Sequence, residues 1–195
     1  MNMEEIFDRI CQYFITKREY FEIFSHQNHL TAMEGWVRGE IVWLMHQPPL
    51  KEQDIFQATG ISIGKGKTAG TGNKGLHPDL HLNLSDAPDI MPTLVYVELK
   101  TITMDKPFWD GILVRQLKTE YNRFFPEDPL SIPSDWFISF TYPLDKDNRN
   151  RWEKIVNKAG LCDYYIKEED FDIGNNQQCL ISLFRRSNRE AIDAT

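Results

Sequence analysis

The chain has 195 residues, of which 41% are hydrophobic and 26% charged, the composition of one water-soluble domain with a full core. No apolar run approaches the ~20 residues that cross a bilayer, so a membrane-spanning helix is not expected. The formal charge of −7 counts against a protein that coats nucleic acid through bulk charge alone, but not against a nuclease, whose acidic pocket lowers the total while a local basic rim binds phosphates.

The N-terminus, MNMEEIFDRI, lacks the basic, apolar and small-residue sections of a signal peptide. Cys11, Cys162 and Cys179 are widely spaced, with no CxxC. They read as reduced thiols packed in the core, and the expected compartment is cytoplasmic.

Residues 3–24 have helical spacing of Ile6, Phe7, Ile10, Phe14, Phe21 and Phe24, with no Pro or Gly between them. The polar run 25–29 breaks the pattern. A second helix is predicted from Thr31, whose T-x-x-E spacing to Glu34 is that of a capping box, as far as Pro48 and Pro49. Trp36, Glu40, Trp43 and Leu44 share one face of it. Gly35 and Gly39 weaken this helix and are expected where another backbone approaches closely.

Residues 54–63 read as a strand. The glycine-rich, basic segment 64–75 reads as a hairpin or a loop that touches phosphates. Its GKGKT is not a P-loop, because Ile61 stands where the first glycine of G-x-x-x-x-G-K-[ST] belongs. A helix is predicted at about 105–125, with Asp105 as cap, Pro107 in the first turn, and an apolar stripe of Leu113, Leu117, Tyr121 and Phe124. A strand follows at 135–142. A charged helix runs from about 145 to 159 and stops at Gly160. Shorter strands are predicted at 162–168 and 178–185.

The stretch 76–101 organises the rest. Leu80, Leu82 and Leu84 alternate with His77, Asp79, His81 and Asn83; Val95, Val97 and Leu99 alternate with Tyr96, Glu98 and Lys100. Successive strand residues face opposite ways. If the two aliphatic faces are buried together, Asp79, Glu98 and Lys100 converge. Two carboxylates and an ammonium suit a hard divalent cation and an activated water. Lys65, Lys67 and Lys74, with Arg115, Lys118 and Arg123, form the candidate basic rim.

Pro78-Asp79 on one strand and Glu98-Leu99-Lys100 on the next, in the order helix, three strands, helix, strand, resemble the PD-(D/E)xK nuclease superfamily over residues 31–141. The resemblance implies a restriction-endonuclease-like α/β fold with an αβββαβ core. A mixed central sheet would be flanked by helices, within a single domain. Residues 1–29 would be an N-terminal helix, 31–141 the core, and 142–195 a C-terminal α/β extension. It implies a Mg²⁺- or Mn²⁺-dependent nuclease, an endonuclease with DNA as the expected substrate. Asp79, Glu98 and the Leu99 carbonyl would hold the metal, and Lys100 would orient the nucleophilic water. Glu40 maps onto the glutamate that such enzymes often supply from the preceding helix. Gln116 and Tyr121 occupy the following helix, five apart where related exonucleases have four. Gln116 joins Arg115 and Lys118 as a candidate nucleic-acid contact. A homodimer or a partner subunit would be needed for double-strand cleavage.

The competing readings are a catalytically inactive nuclease-fold binding or assembly subunit, and a solvated strand face with a cross-strand salt bridge. An H-x-D-x-H zinc site at His77, Asp79 and His81 is a further alternative.

Overall fold

A computed structural model describes residues 1–27, 30–59, 78–85, 90–104, 109–125 and 132–186. The chain is a mixed α/β protein whose six-stranded mixed sheet is flanked by helices. Helix α1 spans Met3–Ile15, α2 Arg18–Gln27 and α3 Leu30–Met45; strands β1 (Phe56–Thr59), β2 (Leu80–Leu84) and β3 (Thr93–Thr103) follow. Then come α4 (Asp110–Phe124), β4 (Trp136–Leu144), α5 (Lys146–Ala159), β5 (Tyr165–Gly174) and β6 (Gln177–Arg185).

The sheet order is β1-β2-β3-β4-β6-β5. β1, β2 and β3 pair antiparallel, β3 and β4 pair parallel, and β4, β6 and β5 pair antiparallel. Two connections cross over: α4 joins the parallel neighbours β3 and β4, and α5 carries the chain from β4 to β5, past the position that β6 fills. Residues 142–195 were expected as an extension; within them β5 and β6 continue the same sheet, because β6 pairs directly with β4. Among the described residues no helix is long and apolar enough to cross a membrane.

Alternation along the strands gives the sheet two cores. Leu80, Leu82, Val97, Leu99, Ile138 and Phe140 face α1, α2 and α3. Ile102, Phe137, Leu180 and Phe184 face α4 and α5. Glu98 and Lys100 belong to the second face by parity with Ile102.

Several local expectations are corrected. The predicted helix 3–24 is two helices. The Thr16 hydroxyl donates to the Tyr13 carbonyl at 2.6 Å, a side-chain bond that competes with helix continuation. α3 already includes Thr31, and Glu34 pairs with Lys100 and Arg38 in place of a capping role. Of the strand predicted at 54–63, β1 covers Phe56–Thr59, preceded by a 3₁₀ turn at Lys51–Gln53. Residues 60–77, with Lys65, Lys67, Lys74 and His77, lie outside the described residues, as do Asp105 and Pro107. Cys11 and Cys179 are buried, but Cys162 is exposed in the turn after α5.

Gly35 and Gly39 do not mark a close backbone approach: among the described residues a Cβ built on either meets nothing within 4 Å. Gly160 differs. It ends α5 at φ +81°, with its N–H donating to the Asn157 carbonyl. Substitution should therefore act with opposite sign at the two kinds of site. Gly39→Ala is expected to stabilise by about 1 kcal/mol through helix propensity. Gly160→Ala is expected to destabilise by about 1 kcal/mol through the left-handed backbone. Urea midpoints that move the same way in both variants would contradict these assignments.

Candidate active site

β3 outruns β2. Their last pair is Leu80 with Val97, and β3 continues from Glu98 to Thr103 beyond it. The next peptide N–H facing the β2 side, that of Leu99, needs a partner. Asp79, the residue before β2, provides one: Leu99 N–H donates to Asp79 Oδ2 at 2.9 Å. A strand residue's N–H and C=O project to the same side, so the Leu99 carbonyl also faces the Asp79 edge.

Asp79 and Glu98 thus meet at the end of β2, and both are buried, at 7% and 4% exposure. That excludes a solvated strand face. Nor does Lys100 bridge to Glu98; its Nζ lies 2.9 Å from Glu34 Oε2. Glu34 is 4.0 Å from Arg38 Nη2, and Arg38 Nη2 pairs with Asp79 Oδ1. On the other side Arg123 Nη1 lies 2.5 Å from Glu98 Oε1, and Arg123 Nε lies 3.0 Å from Glu120 Oε2. Charges alternate along this chain except at one junction, where the Asp79 and Glu98 carboxyls face each other.

That junction governs the electrostatics. Burial pushes the Glu98 carboxyl up from 4.5 to about 9; the Asp79 carboxylate adds to the push, Arg123 opposes it, and Glu120 reinforces it. Glu98 Oε2 has no hydrogen-bond donor among the described residues. Its carboxylate neighbour can only share a proton with it, which raises Glu98 further. Burial also raises the Glu120 carboxyl, against the pull of Arg123 and Lys100. Burial pulls the Lys100 ammonium down, but the hydrogen bond it donates to Glu34 and the nearby carboxylates outweigh it, so the net shift is upward.

The site therefore draws together Asp79, Glu98 and Lys100 as the sequence predicts, and leaves others out. Glu40 is the main correction. Its Oε1 accepts from Trp36 Nε1 at 3.1 Å, the Tyr13 hydroxyl donates to its Oε2, and Lys17 Nζ is 3.6 Å away. Two residues separate Glu40 from Arg38, a rotation of roughly 200° about the helix axis, so the two face opposite ways. Glu34, one turn before Arg38, is the α3 glutamate at the site. Arg115 and Lys118 are exposed on α4, off its buried stripe. Tyr121 packs against Phe125 and Tyr164. Gln116 lines a cleft of about 290 Å³ with Glu34, Lys100, Trp109 and Leu113. His81 packs edge-on to Tyr96, with ring centroids 5.0 Å apart.

Glu120 and Arg38 were missed. Glu120 had a signal: Leu113, Leu117, Glu120 and Phe124 form the buried stripe of α4, so a carboxylate occupies an apolar position. Arg123, read as part of a basic rim, is instead the counter-charge of two buried acids.

Among the described residues no three Asp, Glu, His or Cys side chains form a metal cage. The donor set is two carboxylates and a backbone carbonyl. Mg²⁺ accepts such a set, since it keeps several waters and takes few carboxylates. The donor-free Glu98 oxygen fits the same requirement. A second depression, of about 340 Å³ between α5 and β5, is lined by Arg149, Trp152, Cys162 and Tyr165. Among its described lining residues the one cation, Arg149, is already paired with Glu168. Comparison of the chain with protein-family models, with curated proteins and with solved structures returned no match.

A raised Glu98 has a measurable consequence. The folded state holds a proton that the unfolded chain releases near pH 4.5, so this group's contribution is favourable below that pH. It is lost progressively as pH rises toward about 9. In EDTA, Glu98→Gln should gain thermal stability over the parent as pH climbs from about 5 to about 9. A melting-temperature difference that stays constant across that range would show that Glu98 titrates normally.

Proposed function

We propose that this chain is a metal-dependent phosphodiesterase of the PD-(D/E)xK, restriction-endonuclease-like type, acting on nucleic acid with DNA as the expected substrate. One observation carries the reading: two adjoining carboxyls are buried at the end of β2, and one oxygen of Glu98 has no donor among the described residues. Burying like charges side by side is costly. A fold that needed only stability would place apolar groups there. The element order α3, β1, β2, β3, α4, β4 supports the fold assignment.

Asp79, Glu98 and the Leu99 carbonyl are the groups that would hold Mg²⁺ or Mn²⁺. A divalent cation bound there supplies a water of lowered pKa and neutralises charge on the scissile phosphate. The protein's own residues do the rest. Leu99 N–H fixes Asp79. Lys100 stays an ammonium, because Glu34 and its neighbours raise it. It therefore donates hydrogen bonds to the attacking water and to developing negative charge, and does not act as the base. Glu34 is a positioning residue for Lys100. Glu120 and Arg123 hold Glu98 from the α4 side.

A second reading, a nuclease-fold binding or assembly subunit, is favoured by the arginines already paired with both acids. Activity separates the two. The parent should nick supercoiled DNA with Mg²⁺ or Mn²⁺ and not with EDTA. Asp79→Asn should lose metal binding and cleavage together. Lys100→Met should retain metal binding while cleavage falls ~10²–10³-fold, the scale for one preorganised transition-state donor. A parent that binds DNA but cuts no polynucleotide with either metal would favour the binding subunit.

A further inference from the structure

Asp79 has two carboxylate oxygens, and both have partners. Oδ2 accepts from Leu99 N–H, a bond that ties the carboxylate to β3. Oδ1 pairs with Arg38. A cation that takes Oδ1, the oxygen without a backbone partner, draws on the same carboxylate charge that holds Arg38. Arg38 is the group it would meet. The arginine lies at the rim of the site: its side chain is 31% exposed, and its other ion pair, to Glu34, is at 4.0 Å. Arg123 differs, clamped between Glu98 and Glu120.

We propose that Arg38 is an exchangeable counter-ion. Without metal it neutralises Asp79; when a divalent cation takes Oδ1, its guanidinium is released at the rim of the site and binds a phosphate of the polynucleotide. The released fork suits a phosphate, which it contacts through two donors at once. Metal and nucleic acid then bind with positive coupling through one side chain, and by linkage each raises the affinity of the other. The inference rests on the metal-site reading above.

The test uses the full chain, with Mn²⁺ calorimetry and fluorescence anisotropy of a labelled DNA duplex in EDTA or in Ca²⁺, a cation that also takes oxygen ligands. Arg38→Gln removes the competitor and should bind Mn²⁺ roughly tenfold more tightly than the parent, the scale for losing one partly exposed charge contact. Arg38→Lys, which keeps the charge, should stay near the parent. In the parent, Ca²⁺ should tighten duplex binding and steepen its dependence on log salt by about one, as for one added phosphate contact. In Arg38→Gln the steepening should vanish. Melting curves of both variants confirm that each is folded. If the parent binds Mn²⁺ and Asp79→Asn does not, but Arg38→Gln binds it no more tightly than the parent, the exchange is wrong and the metal site stands. If Arg38→Gln gains metal affinity yet keeps the full Ca²⁺-dependent steepening, Arg38 does not move to phosphate. If the parent binds no Mn²⁺, or Asp79→Asn binds it equally well, the metal-site reading fails and this inference with it.

Discussion

The contact between the buried Asp79 and Glu98 carboxyls is the constraint around which the site is built. In low dielectric, two like charges at this range repel by several kcal/mol, and each also loses hydration. The surrounding elements answer that cost from three directions. The β2–β3 register ends at Leu80 and Val97, leaving the Leu99 N–H for Asp79. α3 brings Arg38 to Asp79, and α4 brings Arg123 to Glu98. Among the described residues Glu98 Oε2 stays without a donor, and burial, with the Asp79 carboxylate beside it, pushes that carboxyl up to about 9.

Holding such a pair requires stiff elements, and the two cores provide them. Phe14 and Phe21 pack on Phe140 of the central strand, with centroids 4.9 and 6.4 Å apart, and seat α1 and α2 against the sheet. α3 is fixed in rotation by its far side. Glu40 accepts from the Tyr13 hydroxyl, which ties that side to α1. The consequence is that Glu34 and Arg38 turn toward Lys100 and Asp79.

Strand alternation made much of this site legible. The common face of Asp79, Glu98 and Lys100 follows from parity in two short segments, and the structure brings the three to one place. The choice between Glu34 and Glu40 was not legible in the same way. Both lie on α3, and which faces the sheet end depends on how that helix is rolled by α1, a tertiary contact that no local pattern encodes. The break at Thr16 was hidden for a related reason: a single hydroxyl-to-carbonyl bond ends α1 without Pro or Gly. Glu120 was readable and overlooked, because a stripe of Leu113, Leu117 and Phe124 draws attention to its apolar members. The basic rim was read from charge alone, and charge does not say whether an arginine meets a phosphate or an internal carboxylate.

The central claim is that the Asp79–Glu98 junction is a cation site, and anomalous scattering from crystals grown with Mn²⁺ tests it most directly. The account predicts a manganese peak between the two carboxylates, within bonding reach of the Leu99 carbonyl, with Arg38 turned away from Asp79 Oδ1. Crystals saturated with Mn²⁺ that show no peak there, with Arg38 still on Asp79, would contradict it.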